Sequence, residues 1–328
     1  MDKLNLKNIT SFKTLNYHTS FIMCLLILND GRLASSSDDG SIIIYDKETF
    51  NPQCEIKEFE YAVNNIIQLS YNNYLISSCA DKTITIIKLT SLTTYNIIST
   101  LNNHFLSVNR VIELDNFEIA SCSDDQTVKI YKYNENYGSL FQCIITIASF
   151  PSIIEGITFI KKTKEIIISP FKEQIIQFWS LVFYNKICVL ENIYFEGFQN
   201  SLLMLNNDIL AIGVFSGINL IDVEKHEIIH KIKVVGGVLN IIKQGNFLFT
   251  NGVFKGNYDT IQKWEIVNKK DINENNKNKN GKQNNINFNI IKKEVKHKLN
   301  NNHFILMNVL NNGIIATTTF QFNIKLWK

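Results

Sequence analysis

The sequence predicts an all-β chain made of seven copies of one four-strand unit, closed into a ring. Three observations carry this expectation. A polar segment ending in histidine recurs, the strand pattern behind it recurs in register, and the third strand of each unit ends at an equivalent position along the whole chain. Self-similarity over tens of residues is read before any single residue is given a role.

The first polar segment is Leu15-Asn16-Tyr17-His18. An apolar run from Phe21 follows, then a turn at Asn29-Asp30-Gly31. A small-residue run, Leu33 to Ser37, leads into Asp38-Asp39-Gly40, and a β-branched run closes on Tyr45-Asp46. Apolar runs bounded by Asn, Asp and Gly are strands joined by tight turns. The segment returns as Leu101-Asn102-Asn103-His104, with the same pattern behind it. His18 and Asp39 stand 21 positions apart, as do His104 and Asp125, and Tyr131 matches Tyr45. Between them lies a copy with Glu60 and Ile87 in place of the histidine and the aromatic residue.

Later copies are weaker. Third strands end at Tyr45, Ile87, Tyr131, Trp179, Ile221, Trp264 and Trp327. A period of about 42–48 residues with four short strands predicts a seven-bladed β-propeller of four-stranded antiparallel blades. The one wider spacing, before Trp327, is explained by an Asn/Lys-rich tract over 268–298, expected to be a low-complexity surface insertion within a single domain spanning 1–328. A third polar segment, Leu299 to His303, precedes the last unit. His303 does not stand at the matching distance from an aspartate, so that unit is expected to lack the full polar set.

The segments LASSSDDGSIIIYD and IASCSDDQTVKIYK, residues 33–46 and 119–132, resemble the WD-repeat family, with Tyr45-Asp46 and Tyr131-Lys132 where that family favours Trp-Asp. Trp264-Glu265 and Trp327-Lys328 keep the tryptophan. The resemblance extends over essentially the whole chain and implies a ring closed by a shared blade. The last unit ends after its third strand at Lys328, while residues about 8 to 14 precede the first histidine as an outer strand without a blade of its own. They are expected to complete the last blade.

The sets His18, Ser35, Asp39, Tyr45 and His104, Ser121, Asp125, Tyr131 contain the residue types of a hydrolase triad. A catalytic set need occur once; these occur twice at the same spacing. The resemblance implies instead a structural network, in which histidine bridges the turn aspartate and a strand hydroxyl and the aromatic residue completes it. Buried polar groups need such partners. His226 and His230, in KHEIIH, suggest a metal site, but the sequence places no third ligand. Gly236-Gly237 lacks the Lys-Ser/Thr of a phosphate loop and the spacing of a dinucleotide fingerprint. No catalytic residue, metal or cofactor is expected.

Composition bounds the partners. The chain has 328 residues, 45% of them hydrophobic, and a net charge of +3. The tract over 268–298 holds nine lysines against Asp271, Glu274 and Glu294, a net +6 that leaves the rest at −3. A body of that sign argues against nucleic acid. The FRRG motif of phosphoinositide-binding propellers is absent, and the apolar run from Phe21 is far short of the roughly 20 residues of a membrane span. Membrane association is not expected. Cys24, Cys54, Cys79, Cys122, Cys143 and Cys188 form no CxxC and read as reduced thiols of a cytoplasmic protein, with a nuclear location also open.

The resemblance implies a non-catalytic scaffold or adaptor that holds peptide segments of other proteins on one propeller face, as a monomer within a hetero-complex. Aligned onto that face are the acids Asp38, Glu60 and Asp124 and the aromatic residues Phe105, Phe150, Tyr194, Phe195 and Phe198. Aromatic residues in such loops make binding hot spots. The alternatives are an RNA- or ribosome-associated propeller and an enzyme using the propeller face.

Overall fold

The computed structural model describes residues 9–70, 74–134, 141–147, 150–170, 173–193, 201–234, 237–254, 257–268, 288–298 and 304–328. Seven four-stranded antiparallel sheets are present among them. Blade one is Ile22–Ile27, Leu33–Ser37, Ile42–Tyr45 and Pro52–Ile56; blade two is Val63–Gln68, Tyr74–Cys79, Ile84–Leu89 and Tyr95–Leu101; blade three is Val108–Glu113, Glu118–Ser123, Val128–Tyr133 and Phe141–Ile147. Blade four is Ile154–Ile160, Glu165–Pro170, Ile176–Ser180 and Lys186–Leu190; blade five is Leu202–Met204, Ile209–Val214, Gly217–Asp222 and Glu227–Lys233. Blade six is Gly237–Gln244, Phe247–Phe254, Asn257–Asn268 and Phe288–Lys298. Blade seven is Phe304–Val309, Ile315–Thr319 and Ile324–Trp327, with Ser11–Leu15 as its outer strand. The first strands of successive blades are neighbours around the ring, and the first blade meets the seventh.

The core is a ring of apolar layers between blades, each fed by both neighbours. Leu33, Ile43 and Tyr45 of blade one pack on Leu306, Ala316 and Leu326 of blade seven. Ala34, Ile42 and Ile44, which alternate with them, pack on Val63, Ile66 and Leu75 of blade two. The second and third strands are buried on both faces, so they read as apolar or small runs, whereas outer strands alternate. This is why the repeat is legible: a strand sandwiched between two sheets tolerates only small or apolar residues.

The third-strand positions found in the sequence are structurally equivalent. Tyr45 stands opposite Leu33, Ile87 opposite Leu75, Tyr131 opposite Ile119, Trp179 opposite Ile166, Ile221 opposite Leu210, Trp264 opposite Leu248 and Trp327 opposite Ile315. At each of these residues the pairing with the outer strand slips by a bulge. A bulge adds local twist and turns the side chain. The turn before the third strand also repeats: Gly40, Lys82, Gln126 and Phe322 all have positive φ. At Gly40 a Cβ would lie 2.4 Å from the Phe59 carbonyl oxygen, so the close approach requires glycine.

One boundary needs correction. The expected surface insertion over 268–298 is shorter, because Phe288–Lys298 is the outer strand of blade six, with Phe288 opposite Asn268 and Lys298 opposite Thr260. An outer strand needs a backbone ladder and suitable β-formers, here Ile290, Ile291 and Val295, and it accepts lysines between them. The lysine-rich composition hid the strand. Residues 269–287 lie outside the described residues.

Candidate functional site: the upper face and its histidine networks

In an antiparallel blade, turns alternate between the two ends of the sheet. The upper face carries the joints between blades and the turns from second to third strand; the lower face carries the other turns. In the joint before blade one, His18 Nδ1 lies 3.0 Å from Asp39 Oδ2 and Nε2 lies 2.7 Å from Ser35 Oγ, which is 3.1 Å from Tyr45 Oη. The Thr19 amide donates to Asp39 at 2.8 Å, and Ser41 Oγ donates to its other oxygen at 2.6 Å. Before blade three, His104 lies 2.8 Å from Asp125 and 2.7 Å from Ser121, and the Phe105 amide donates to Asp125 at 3.0 Å. Tyr131 fills the matching place, but its buried hydroxyl makes no hydrogen bond among the described residues.

Burial holds both imidazoles below the usual histidine range, against the pull of their aspartates. Burial alone would raise Asp39 and Asp125; the hydrogen bonds from Ser41 or Thr127, from the backbone and from histidine outweigh it and hold both carboxyls low. At neutral pH each network is therefore a neutral imidazole between a carboxylate and a hydroxyl. The two histidines are buried beneath the face.

Other blades keep parts of the arrangement. Blade two retains the turn, with Asp81 accepting from the Thr83 amide at 2.9 Å. In blades six and seven the tryptophans donate to strand hydroxyls, Trp264 Nε1 to Thr250 at 3.0 Å and Trp327 Nε1 to Thr317 at 2.8 Å. Thr317 lies two residues beyond the partner of Trp327, as Ser35 does from the partner of Tyr45. The third histidine, His303, lies outside the described residues.

Of the residues aligned onto the upper face, Asp38 and Glu60 are exposed, and Asp38 accepts from Ser20 Oγ at 2.8 Å. Asp124 is half-buried and accepts from Asn109 Nδ2 at 2.7 Å. Phe105 is 76% exposed, whereas Phe150 is 3% exposed and tilted against Trp179. Phe150 is therefore a correction: it caps the layer between blades three and four, and its ring is not offered to a partner. Tyr194, Phe195 and Phe198 lie outside the described residues.

The sequence reading missed four further exposed apolar residues of this face. Phe21, Tyr61, Leu106 and Phe320 are all exposed on the same face, from blade seven round to blade three. Phe21 meets Phe322 edge-on at 4.9 Å and Phe320 at 6.2 Å across the seam where the ring closes. The signal was their position in or beside the joints, but position alone does not separate them from Phe150, which sits in the same kind of joint. Beside this arc, Glu155 is pushed up to about 7 by burial and then by the charge of Asp124.

His226 and His230 sit in different surroundings. His226 Nε2 lies 2.9 Å from Glu165 Oε2 and its ring rests edge-on on Phe178 at 4.7 Å, while His230 is exposed on the outer strand. No group of three or more metal-ligating side chains occurs among the described residues. Nor does any helix among them have the length and apolar character to cross a membrane.

The fold and these networks define a seven-bladed β-propeller assembled from repeats. The family model described as "WD domain, G-beta repeat" matches residues 9–46 and 95–132, the segments that carry the two histidine networks. The WD40 β-propeller domain of Doa1 has a similar solved structure: TM-score 0.70 at 15% identity, covering 98% of this chain and 97% of that one. No curated protein matches the chain. The chain folds as a seven-bladed β-propeller, and two of its segments match the WD-repeat model.

Proposed function

We propose that this propeller is a non-catalytic interaction platform, a monomeric cytoplasmic subunit of a multiprotein complex that holds a segment of another protein on its upper face. WD-repeat propellers generally bind other proteins, and the observation that carries the reading here is the arc of Phe320, Phe21, Tyr61, Phe105 and Leu106. These side chains are exposed, come from consecutive blades and sit in or beside the joints and upper turns. Contiguous exposed apolar surface on a fold with a complete core marks an interaction site, and aromatic residues are enriched among binding hot spots.

The acids Asp38, Glu60 and Asp124 border the arc and select a segment that is apolar and basic. Tyr194, Phe195 and Phe198 extend the proposed surface by alignment. The polar sets that resemble a triad are assigned a structural role, so no reaction is attributed to the chain. The test is affinity purification from the native cell with Tyr61→Ala/Phe105→Ala beside the parent chain, followed by mass spectrometry. Proteins retained by the parent and lost by the variant support the reading; identical partner sets contradict it.

A further inference from the structure

The lower face carries a second exposed apolar surface that this reading does not use. The turn between the third and fourth strands of blade four presents Val182, 60% exposed, and Phe183, 78% exposed, with Tyr184 beside them. Leu92, in the corresponding turn of blade two, and Phe117, in the first turn of blade three, are also exposed. Backbone and side-chain contacts link the Phe183 turn to the first turns of blades two to four. Leu181 N donates to Lys164 O at 2.9 Å within blade four, Lys161 Nζ reaches Asp115 beside Phe117 at 3.2 Å, and Ser70 of blade two donates to Glu113 at 2.8 Å.

The charges around these tips face outward unequally. Lys161 and Lys164 both pair with Asp115, and their side chains are 78% and 46% exposed against 18% for the aspartate. Lys132 covers Glu118 in the same sense, and Lys186 is exposed at the foot of the Phe183 turn. Each acid lies under its lysine, so the outward layer across blades three and four is cationic. The surface ends at blade five, where Asp208 and Glu224 are more exposed than the Lys162 between them. On the other side it ends at Asp30, Asp46 and Glu48 of blade one.

We infer that the lower face across blades two to four docks on an anionic lipid bilayer, with Val182 and Phe183 entering the headgroup boundary and the lysines above their carboxylates meeting lipid phosphates. Exposed apolar turn tips ringed by lysines are what a bilayer accepts: apolar tips enter the interface and lysine stems extend to the headgroups. Surface lysines add attraction to acidic lipids that falls with salt. The missing FRRG removes a headgroup pocket; it does not remove an apolar tip ringed by lysines.

The test is co-sedimentation of the full chain with vesicles of phosphatidylcholine alone and of phosphatidylcholine with phosphatidylserine, at low and high salt. Binding is expected only with phosphatidylserine and is expected to weaken with salt. Val182→Ser/Phe183→Ser should reduce it by about a hundredfold or more, the scale for withholding two large apolar side chains from an interface, with an unchanged melting curve. Lys161→Gln/Lys164→Gln should reduce it with less residual salt dependence. A chain with residues 269–287 replaced by a short Gly/Ser linker keeps that lysine-rich tract from imitating the result, and its binding should still depend on Val182 and Phe183. Absence of vesicle binding, equal binding to both lipid mixtures, or binding indifferent to the tip in the linker chain overturns the inference. So does a photo-crosslink from position 183 that goes to another protein while vesicles are ignored.

Discussion

Thr10 and Lys328 exchange a pair of backbone hydrogen bonds, each 3.2 Å long. From there the outer strand runs along the third strand of blade seven, with Ser11 opposite Trp327 and Leu15 opposite Ile324. Ile9 is buried in the layer between blades six and seven with Phe249, Met307 and Trp327. Blade seven is thus built from two stretches far apart in sequence, and the ring has no free seam.

The first prediction concerns that seam. Removing residues 1–14 uncovers the third strand of blade seven as an open edge and exposes the apolar surface under Ile9. Open edges invite pairing with other chains, and each large apolar side chain withdrawn costs about 1.5–3 kcal/mol. The truncated chain should melt at lower temperature and aggregate at lower concentration, by differential scanning fluorimetry and light scattering. If both match the parent, the seam carries no stability.

A second prediction separates joint from catalyst. His18→Ala takes one partner from Ser35, which keeps Tyr45, and one from Asp39, which keeps Thr19 and Ser41; His104→Ala takes one from Ser121 and one from Asp125, which keeps Phe105 and Thr127. A hydrogen bond of this kind contributes about 0.5–1.5 kcal/mol, so each variant, losing two, should lower the urea midpoint by a corresponding amount. The two sites share no partners, so their effects should add. A midpoint equal to the parent's would remove the histidines from the stability account.

Acidification gives a third. His18 and His104 sit below the usual range because they are buried. As pH falls below about 6.5 the unfolded chain takes up these protons and the native chain does not, so their contribution is lost on the acid side. Asp39 and Asp125, held low by hydrogen bonds that outweigh burial, add a further loss as pH falls through the carboxylate range. Glu155 opposes both, since its carboxyl, raised to about 7 by burial and then by Asp124, takes a proton in the native chain first. The melting temperature of the parent minus that of His18→Asn/His104→Asn should therefore shrink from about pH 7.5 to about pH 5.5. A difference that stays constant or grows would show that the imidazoles are not held neutral.

Blade seven supplies a double-mutant cycle. Trp327 Nε1 donates to Thr317 Oγ1 at 2.8 Å in a buried site. Thr317→Val leaves the indole N–H without this acceptor, at about 1–3 kcal/mol, whereas adding Trp327→Phe removes the donor as well. The pair should couple by about 0.5–1.5 kcal/mol beyond additivity, as contacting residues do. Strict additivity in denaturant titrations would mean that the contact contributes nothing net.

How much of this was legible in the sequence depended on how tightly each strand is confined. Leu33 to Ser37 and Ile42 to Tyr45 are buried on both faces, so their residue types were constrained and the repeat could be counted. The outer strand Phe288–Lys298 escaped notice because lysines obscured its β-branched residues in the sequence. The histidine sets were legible because a buried polar group needs defined partners at defined spacing. The upper-face arc was not: Phe105 and Phe150 occupy similar joints, yet one is exposed and the other covered by Trp179, and that difference lies in packing between blades.

Crosslinking from within the upper-face arc tests whether the arc holds a partner segment. A photo-reactive residue at position 105, with a matched one at the exposed outer-strand position 97, would be activated in the native cell and the adducts identified. The account expects position 105 to capture an apolar, basic segment of one or a few proteins, lost on Tyr61→Ala, and position 97 to capture none of them. Equal capture at both positions, or capture at 105 that is indifferent to Tyr61→Ala, would contradict it.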